Sequence, residues 1–302
     1  LGDVYKRQPS RNVGAMLNQG VDFQIIGRGN LTEDLYFTVT LNNSFLKNEV
    51  VRFAEGIEFL DGPGYRGIFP TRNQVGRPLS SYFGYQVTGY FNSQAEVDAA
   101  PTQDGAGVGR FRYADINGDG VITPDDRTYL GDPVPEYSGG AVINLRYKQL
   151  SLDTFWNWVS GVEIFNMSKW FRDFFGTFEG SAKGVAALNS WTPELGNNAA
   201  APIWESASNL STSGAANSWY VEDGDYIRLQ RIALMYSFDD EVLNSLGLKR
   251  LEFGVSANNV WTITKYSGLD PVVGGDADTT FGIDVGNYPV TPSYLFNLNI
   301  GL

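Results

Sequence analysis

The sequence contains no cysteine and no histidine in its 302 residues. Without cysteine it has no disulfide framework and no thiol nucleophile. Without histidine it lacks the base of Ser-His-Asp and Cys-His catalysis and any His-ligated zinc site. Positive charge is also scarce, because 22 Lys and Arg stand against 34 Asp and Glu, a formal net charge of −12. Phosphate binding requires clustered cations, so this balance argues against a nucleic-acid partner.

Long apolar runs are absent as well. No stretch of about eighteen apolar residues occurs, which excludes a transmembrane helix within this sequence. A membrane location is still compatible with it, because a transmembrane barrel strand is only about ten residues of alternating character. Residues 1–8 show neither strand alternation nor the apolar core of a signal peptide. We interpret them as a non-native leader that precedes the protein proper at 9–302.

Alternating apolar and polar residues are the main feature that is present. The clearest run lies at 35–47, where every second side chain is apolar. Strands are predicted at 20–28, 35–47, 81–91, 141–148, 150–159, 226–238, 251–264 and 294–302. Phenylalanines at three- and four-residue spacing predict a short amphipathic helix within 162–178.

The connections between the predicted strands alternate between short turns and long polar stretches. This asymmetry is typical of outer-membrane barrels, which have short turns at one end and long loops at the other. A soluble β-sandwich also fits the alternation, although its strands are usually shorter. The pattern therefore predicts an all-β, antiparallel fold with a short loop helix, and it favours a transmembrane β-barrel over a sandwich.

Residues 115–126 form the one stretch whose spacing implies specific chemistry. Side-chain oxygens stand at its first, third and fifth positions, glycine is sixth and a carboxylate is twelfth. Calcium-binding loops follow this order and place six to eight oxygens around one ion. The predicted ligands are the side chains of Asp115, Asn117, Asp119, Thr123 and Asp126 and the backbone carbonyl of Val121.

A metal-free interpretation of this loop remains open. Its twelfth residue is Asp126 and not Glu, a shorter arm for closing the site, and Pro124 disfavours a following helix. Asp and Asn side chains also stabilise turns without any ion, because they accept hydrogen bonds from nearby backbone N–H groups. No second loop of this kind occurs in the sequence, so a bound Ca²⁺ is expected to be structural and not part of a sensor pair.

Three tryptophans, Trp191, Trp204 and Trp219, belong to a long polar stretch and are candidate ligand contacts. Aromatic faces suit the apolar faces of sugar rings, but packing within the loop or at a membrane interface is the alternative. Adjacent carboxylates such as Asp239 and Asp240 are interpreted as solvated surface charges and not as glycosidase acids. No catalytic residue is predicted.

Residues 112–135 carry the most specific resemblance to a known family. They read R-Y-A-D-I-N-G-D-G-V-I-T-P-D-D-R and then, after two residues, L-G-D-P-V-P. This resembles the [KR]-Y-x-D-x-N-G-D-G-x-I-x-x-x-D-R…L-G-x-P-x-P run of SusC/RagA-type TonB-dependent outer-membrane transporters. Five further segments resemble motifs of that family and follow its order: 12–21, 81–91, 190–194, 221–229 and 258–271.

The resemblance implies the C-terminal part of a plugged, 22-stranded barrel in the cell outer membrane. It implies TonB-powered import without catalysis, most often of oligosaccharides and sometimes of peptides. The expected partners are a SusD-like surface lipoprotein, outer-membrane lipid, and the TonB complex through an N-terminal part that this sequence does not include. The alternative from another class is a secreted, Ca²⁺-stabilised, β-rich glycan-binding module.

Overall fold

The structure is a computed structural model that describes residues 14–178, 180–273 and 280–302. The predicted leader at 1–8 lies outside the described residues. In chain order the strands are β1 (Gly14–Asn30), β2 (Leu35–Phe53), β3 (Phe59–Asp61), β4 (Arg72–Gln74), β5 (Tyr82–Tyr85), β6 (Val87–Tyr90), β7 (Phe111–Tyr113), β8 (Arg127–Gly131), β9 (Tyr137–Tyr147), β10 (Leu150–Ser160), β11 (Glu163–Asn166), β12 (Val221–Asp223), β13 (Tyr226–Ser237), β14 (Arg250–Thr264), β15 (Ile283–Asp284) and β16 (Ser293–Gly301). The helices are α1 (Gln94–Ala99), α2 (Ser168–Arg172) and α3 (Asp240–Leu246), with 3₁₀ turns at Pro124–Asp126, Val185–Asn189 and Gly196–Asn198.

Seven of the described strands form one large sheet in the order β1-β2-β9-β10-β13-β14-β16. Every neighbouring pair in it is antiparallel. Short connections join the strands at one end of the sheet, for example residues 31–34 and 148–149, while 54–136, 161–225 and 265–292 leave from the other end. We call these three long connections the loop layer. The predicted all-β antiparallel fold and its short-turn, long-loop asymmetry are confirmed.

The large sheet has one apolar and one polar face. Residues directly opposite one another on antiparallel strands share a face, so the strand register defines rows of side chains across the sheet. One row consists of Ile25, Leu41, Ala141, Trp156, Leu229 and Trp261. The adjacent row, on the opposite face, consists of Gln24, Asn42, Gly140, Asn157, Arg228 and Thr262. We refer to the two sides as the apolar face and the polar face.

Aromatic residues concentrate near both ends of the apolar face. At the loop end the rings of Phe45 and Tyr137 lie 4.8 Å apart, and those of Trp156 and Trp261 lie 5.7 Å apart. Near the turn end, Tyr147 and other aromatic residues of the same face are exposed. Aromatic belts of this kind mark the two water interfaces of membrane barrels.

The predicted strand at 81–91 does not belong to the large sheet. It divides into β5 and β6, which pair with β8 and β7 inside the loop layer. Tyr82 is fully buried, and the backbone N–H of Tyr85 donates to the carbonyl of Ala216 (2.9 Å). The aromatic alternation that suggested a barrel strand therefore reflects burial within the loop layer.

A short helix lies within 162–178 as predicted, but β11 precedes it and α2 is only one turn and a half long. Beyond α2, the carbonyls of Phe174 and Thr177 accept hydrogen bonds from the Lys183 ammonium (2.8 and 2.6 Å). Phe174 itself is buried, with its ring edge against Trp219. The phenylalanine spacing thus serves contacts with other loops and not helical periodicity.

The densest core of the described chain lies in the loop layer and not in the large sheet. Tyr82, Phe111, Phe165 and Tyr220 are fully buried there, whereas most side chains of β1 and β16 are exposed. Buried apolar area stabilises a fold by about 25 cal/mol per Å², so the loop layer has its own source of rigidity. No helix in the described part of the chain is long and apolar enough to cross a membrane.

Candidate functional site

The three long connections of the loop layer meet at one place above the large sheet. Strand β11 pairs antiparallel with β12 and parallel with β15, which joins the second connection to the third. The hydroxyl of Tyr82, in the first connection, donates to the carbonyls of Gly282 (2.8 Å) and Glu163 (3.1 Å). The loop layer is therefore held together across connections by backbone pairing and by a buried tyrosine.

A buried ion pair reinforces this junction. The Lys169 ammonium lies 2.8 Å from a carboxylate oxygen of Glu222 and donates to the carbonyl of Trp219 (2.6 Å). Glu222 also accepts hydrogen bonds from the backbone N–H and the hydroxyl of Ser267 (both 2.8 Å) and from the amide of Asn166 (3.0 Å). Because Ser267 belongs to the third connection, this one carboxylate links two connections.

The electrostatics of Glu222 follow from these contacts. Burial acts to raise the pKa of Glu222, but the Lys169 charge and the hydrogen bonds from Lys169 and Ser267 outweigh it and hold that pKa below its ordinary value. The side chains of both partners are largely buried, with 13% of Lys169 and 14% of Glu222 exposed. A pair of this kind destabilises a fold strongly when one partner alone is removed, since a buried charge is left uncompensated.

Asp132 is a second perturbed carboxyl group in the loop layer. Burial raises its pKa to about 6, and the charges of Glu163 and Glu136 act in the same direction. The backbone N–H of Val134 donates to it (3.0 Å), which opposes the shift only in part. Its folded pKa therefore lies above the value of 3.8 expected for an unfolded aspartate, so the ionised form disfavours folding.

We expect Asp132→Asn to stabilise the loop layer by about 1 kcal/mol at pH 7.5, after allowance for solvent screening of a partly exposed group. The penalty develops as the pH rises from 3.8 towards 6, so the substitution should have little effect at pH 4. Thermal unfolding of the full-length protein in detergent at both pH values measures this. Glu33→Gln, in an exposed turn, is the control, and an equal gain from Asp132→Asn at both pH values is inconsistent with the explanation.

The predicted calcium loop uses its carboxylates to hold its own backbone. Asp126 is fully buried, and its two oxygens accept hydrogen bonds from the N–H groups of Ile116 (2.8 Å) and Thr123 (2.7 Å). Asp115 accepts from the N–H groups of Gly118 (2.7 Å) and Gly120 (2.9 Å). These contacts place Asp115 and Asp126 at the two ends of one closed turn.

The remaining predicted ligands continue the same pattern. The side-chain oxygens of Asn117 and Asp119 accept hydrogen bonds from the backbone N–H groups of Asp119 (2.9 Å) and Val121 (2.8 Å). Within the described residues, no three acidic side chains converge as a metal-binding group. As folded, the loop does not present a closed set of metal ligands, and its contacts match the metal-free alternative. Calcium binding here stays a prediction.

Its test is proteolysis in the presence of Ca²⁺ or of EDTA. At about 100 times its Kd, a bound ion stabilises the closed loop by about 2.7 kcal/mol, so cleavage within 110–130 should slow about 100-fold. Asp119→Ala should remove this protection and leave the large sheet intact, whereas Asp125→Ala, outside the predicted ligand set, should keep it. Identical cleavage in Ca²⁺ and in EDTA argues against any bound ion.

The structure does not bring the three candidate tryptophans together. Trp191 is buried and donates its indole N–H to Asn92 (3.1 Å). Trp219 donates to the carbonyl of Ala200 (3.1 Å) and has the Lys169 ammonium 4.4 Å from its ring centroid. Both rings are therefore engaged in loop packing.

Trp204 differs, because 40% of it is exposed. Its ring lies 5.4 Å from that of Phe175, which is also exposed, in an edge-to-face arrangement. Of the three predicted ligand contacts, Trp204 is the most exposed, since Trp219 is partly buried and Trp191 is buried. Ligand binding by these tryptophans stays a prediction.

Sequence reasoning missed the polar face of the large sheet as a candidate site. Asn42 and Asn157 lie there in one row with Gly140 between them. Alternation alone places each residue on the side opposite its apolar neighbours. The signal that was missing is the strand register, which brings residues more than a hundred positions apart into one row.

Sequence comparison relates the chain to TonB-dependent receptors. It is 29% identical, over 96% of its length, to TonB-dependent receptor P3 of Formosa agariphila. It is 22% identical, over 99% of its length, to TonB-dependent receptor SusC of Bacteroides thetaiotaomicron. The chain spans 29% and 28% of the length of these two relatives. No protein-family model matches the chain.

Comparison with solved structures agrees with the sequence comparison. The chain superimposes on a solved structure of the RagAB peptide transporter with a TM-score of 0.75 and 20% identity, over 96% of this chain and 29% of that one. For the RagAB peptide importer in its 'open-open' state, the TM-score is 0.71 at 19% identity. At such identities the likeness shows the fold, a partial antiparallel β-barrel. The resemblance predicted from the motifs is thereby confirmed: this chain is similar in sequence to TonB-dependent receptors, SusC among them, and has the fold of the matching part of the RagAB transporter.

Proposed function

We propose that the chain is the C-terminal barrel part of an outer-membrane, TonB-dependent nutrient importer. The observation that carries this proposal is the two-faced sheet. Its apolar face extends across seven described strands, from Ile25 on β1 to Phe296 on β16. Lipid is the environment that suits such a face, and the polar face on the other side then lines the passage.

The names of the relatives support TonB-dependent import in general terms. The partners of this chain are part of our proposal. TonB-dependent receptor P3 and SusC carry the TonB dependence in their names. Contact with the TonB complex belongs to a part of such proteins that this chain does not match. The loop layer, at the long-loop end of the sheet, is the surface on which we place a SusD-like surface lipoprotein.

For the substrate we propose oligosaccharides, with peptides as the alternative. The polar face offers amides and hydroxyls such as Asn42, Ser44, Ser138 and Asn157, which suit a neutral, hydroxyl-rich ligand. The RagAB peptide transporter shares the fold, which supports the peptide alternative. We propose transport without catalysis and assign no catalytic residue.

The apolar face of the large sheet also argues against the alternative, a secreted, Ca²⁺-stabilised glycan-binding module. In that module the apolar side of the sheet faces water, with residues such as Trp261, Phe296 and Leu298 uncovered. Exposed apolar patches beyond a few hundred Å² are rare on soluble proteins. A mainly apolar surface of this extent is far more compatible with lipid.

Fractionation and uptake test the proposed function. The full-length protein that contains this chain, expressed with its signal peptide, should be found in the outer membrane and should need detergent for release. Uptake of its nutrient by cells should stop when TonB is deleted. Recovery of the full-length protein as a soluble, secreted species without detergent overturns the proposal.

A further inference from the structure

The loop at 115–126 contains two adjacent dipeptides that are chemically unstable in a flexible chain. Asn117-Gly118 is the single Asn-Gly pair in the sequence, and Asp119-Gly120 follows it directly. In such pairs the backbone nitrogen of the glycine attacks the side-chain carbonyl carbon of the residue before it, because glycine has no Cβ atom to obstruct the approach. All four residues are exposed, so water and solvent bases reach them.

The reaction at Asn117 has two steps. The Gly118 nitrogen loses its proton to a solvent base and bonds to Cγ of Asn117, the bond from Cγ to Nδ2 breaks, and ammonia leaves with that proton. Water then opens the resulting five-membered succinimide at either carbonyl, which yields aspartate or isoaspartate at position 117. At Asp119 the first step releases water in place of ammonia, so the net change there is isomerisation without a change in mass.

The structure directs both glycine nitrogens onto one carboxylate. The N–H of Gly118 donates to Oδ1 of Asp115 (2.7 Å), and the N–H of Gly120 donates to Oδ2 of the same side chain (2.9 Å). Each proton that the reaction must remove is therefore held by a negatively charged acceptor. The charge of Asp115 also disfavours the anionic nitrogen that makes the attack, because two negative charges at this distance repel each other.

The two side chains that are attacked are held as well. The Asn117 side chain accepts a hydrogen bond from the N–H of Asp119 (2.9 Å) and donates to a carboxylate oxygen of Asp119 (3.0 Å). The other carboxylate oxygen of Asp119 accepts from the N–H of Val121 (2.8 Å). Attack needs the reacting atoms about 3–3.5 Å apart and correctly aligned, and these contacts oppose the side-chain rotations that bring about the alignment.

Other Asp-Gly pairs in the chain lack this arrangement. The N–H of Gly62 donates to the carbonyl of Thr71 (3.0 Å), and the N–H of Gly224 donates to the carbonyl of Val162 (2.8 Å). Both acceptors are neutral. Among the described residues, Asp115 is thus the one carboxylate that accepts from the glycine of an Asn-Gly or Asp-Gly pair.

We propose that Asn117-Gly118 and Asp119-Gly120 are latent succinimide-forming sites and that Asp115 keeps both unreactive in the folded protein. The chemistry needs only this loop and water, so it goes beyond the proposed transport function and does not depend on it. It also gives Asp115 a role in the absence of any bound ion.

The modification would change the fold of the loop. Isoaspartate places an extra methylene carbon in the backbone, so the glycine N–H groups that follow no longer meet Asp115 as they do now. The same turn presents the carbonyl of Gly120 and the N–H of Ile122 to the backbone of Thr102 (2.9 and 2.8 Å). Modified protein should therefore lose this link to the rest of the first long connection.

The test follows the two pairs in the full-length protein, purified in detergent and incubated at neutral and mildly alkaline pH. Trypsin releases residues 113–127 as one peptide, in which mass spectrometry measures deamidation and an isoaspartyl methyltransferase assay measures isoaspartate. Because hydrogen bonds to charged groups are strong, we expect the folded protein to react at least about tenfold more slowly than the synthetic peptide 113–127. Asp115→Ala should raise the rate at both pairs about tenfold.

Two further variants separate the contacts of Asp115 from general loosening of the loop. Asp125→Ala removes a carboxylate of the same loop that bonds neither glycine, so it should leave both rates unchanged. Asp115→Asn keeps one oxygen acceptor and loses the other, so it should accelerate one pair more than the other. It also serves should Asp115→Ala fail to assemble in the outer membrane. The pairs at 61–62 and 223–224 are internal references in every digest.

Three outcomes overturn the inference. The first is a folded protein that reacts as fast as the synthetic peptide. The second is an Asp115→Ala variant that reacts no faster than the Asp125→Ala variant. The third is equal acceleration of both pairs by Asp115→Asn, which means that the loop opens as a whole and that the two separate contacts do not set the rates.

Discussion

Replacing Glu222 with alanine should destabilise the loop layer by about 3–5 kcal/mol, the usual cost of removing one partner of a buried ion pair. The substitution leaves the Lys169 ammonium buried without its carboxylate. It also removes the acceptor for Ser267 and Asn166, so one contact between the second and third long connections is lost, while the short β11–β15 pairing and the bond from Asn166 to Ser267 remain there. Limited proteolysis of the full-length protein should then cleave within 161–225 and 265–292 while β9 and β10 remain protected.

A matched control is available in the adjacent residue. Asp223 forms an ion pair with Lys265 at 3.4 Å, but both side chains are well exposed. Exposed pairs contribute about 0–1 kcal/mol, so Asp223→Ala should leave the cleavage pattern nearly unchanged. The double substitution Lys169→Met with Glu222→Leu should recover much of the loss, since it removes both buried charges. Equal effects of Glu222→Ala and Asp223→Ala contradict the role given to burial.

The second large effect is expected from arginine on the apolar face. Ile143 lies near the middle of β9 and pairs with Val39 and Thr154 on that face. Arginine at the midplane of a lipid-facing barrel surface costs about 2–4 kcal/mol. We therefore expect Ile143→Arg to reduce assembly of the full-length protein in the outer membrane and to lower the temperature at which the assembled barrel unfolds in detergent.

The control for this prediction is the preceding residue. Val142 pairs with Thr40 and Phe155 on the polar face, where an arginine can reach water. Val142→Arg should therefore assemble and unfold nearly as the unsubstituted protein does. A greater loss from Val142→Arg than from Ile143→Arg means that the two faces have been assigned the wrong way round.

The strands of the large sheet could be predicted from sequence because each strand has one apolar face and one polar face, so apolar and polar residues alternate along it. The run at 35–47 belongs to β2, and 141–148 and 150–159 overlap β9 and β10 closely. Each face of these strands meets one environment, so a period of two is visible in the sequence itself. Strand ends were less predictable: β1 and β2 both continue beyond the predicted runs towards the loop layer.

The loop layer could not be predicted in the same way, because its contacts join residues far apart in the chain. Tyr82 is fully buried, and its hydroxyl donates to the carbonyl of Gly282, two hundred positions away. Trp191 is buried and Trp204 is exposed because of packing that the composition does not reveal. The polar row that joins Asn42, Gly140 and Asn157 required the strand register. The loop at 115–126, by contrast, is held by hydrogen bonds between residues close in sequence, such as those from Ile116 and Thr123 to Asp126, and the metal-free alternative expects such contacts from its Asp and Asn residues.

The central claim is that one face of the large sheet contacts lipid and the other lines a passage. The chain has no cysteine, so Val142→Cys, Ile143→Cys, Asn144→Cys and Leu145→Cys each introduce a single thiol into this part of the protein for a fluorophore, and any cysteine elsewhere in the full-length protein is first replaced by serine. Quenching by brominated lipid then reports contact with the bilayer at each position of the assembled full-length protein. We predict strong quenching at positions 143 and 145 and little at 142 and 144. Equal quenching at all four positions, or the reverse alternation, contradicts the claim.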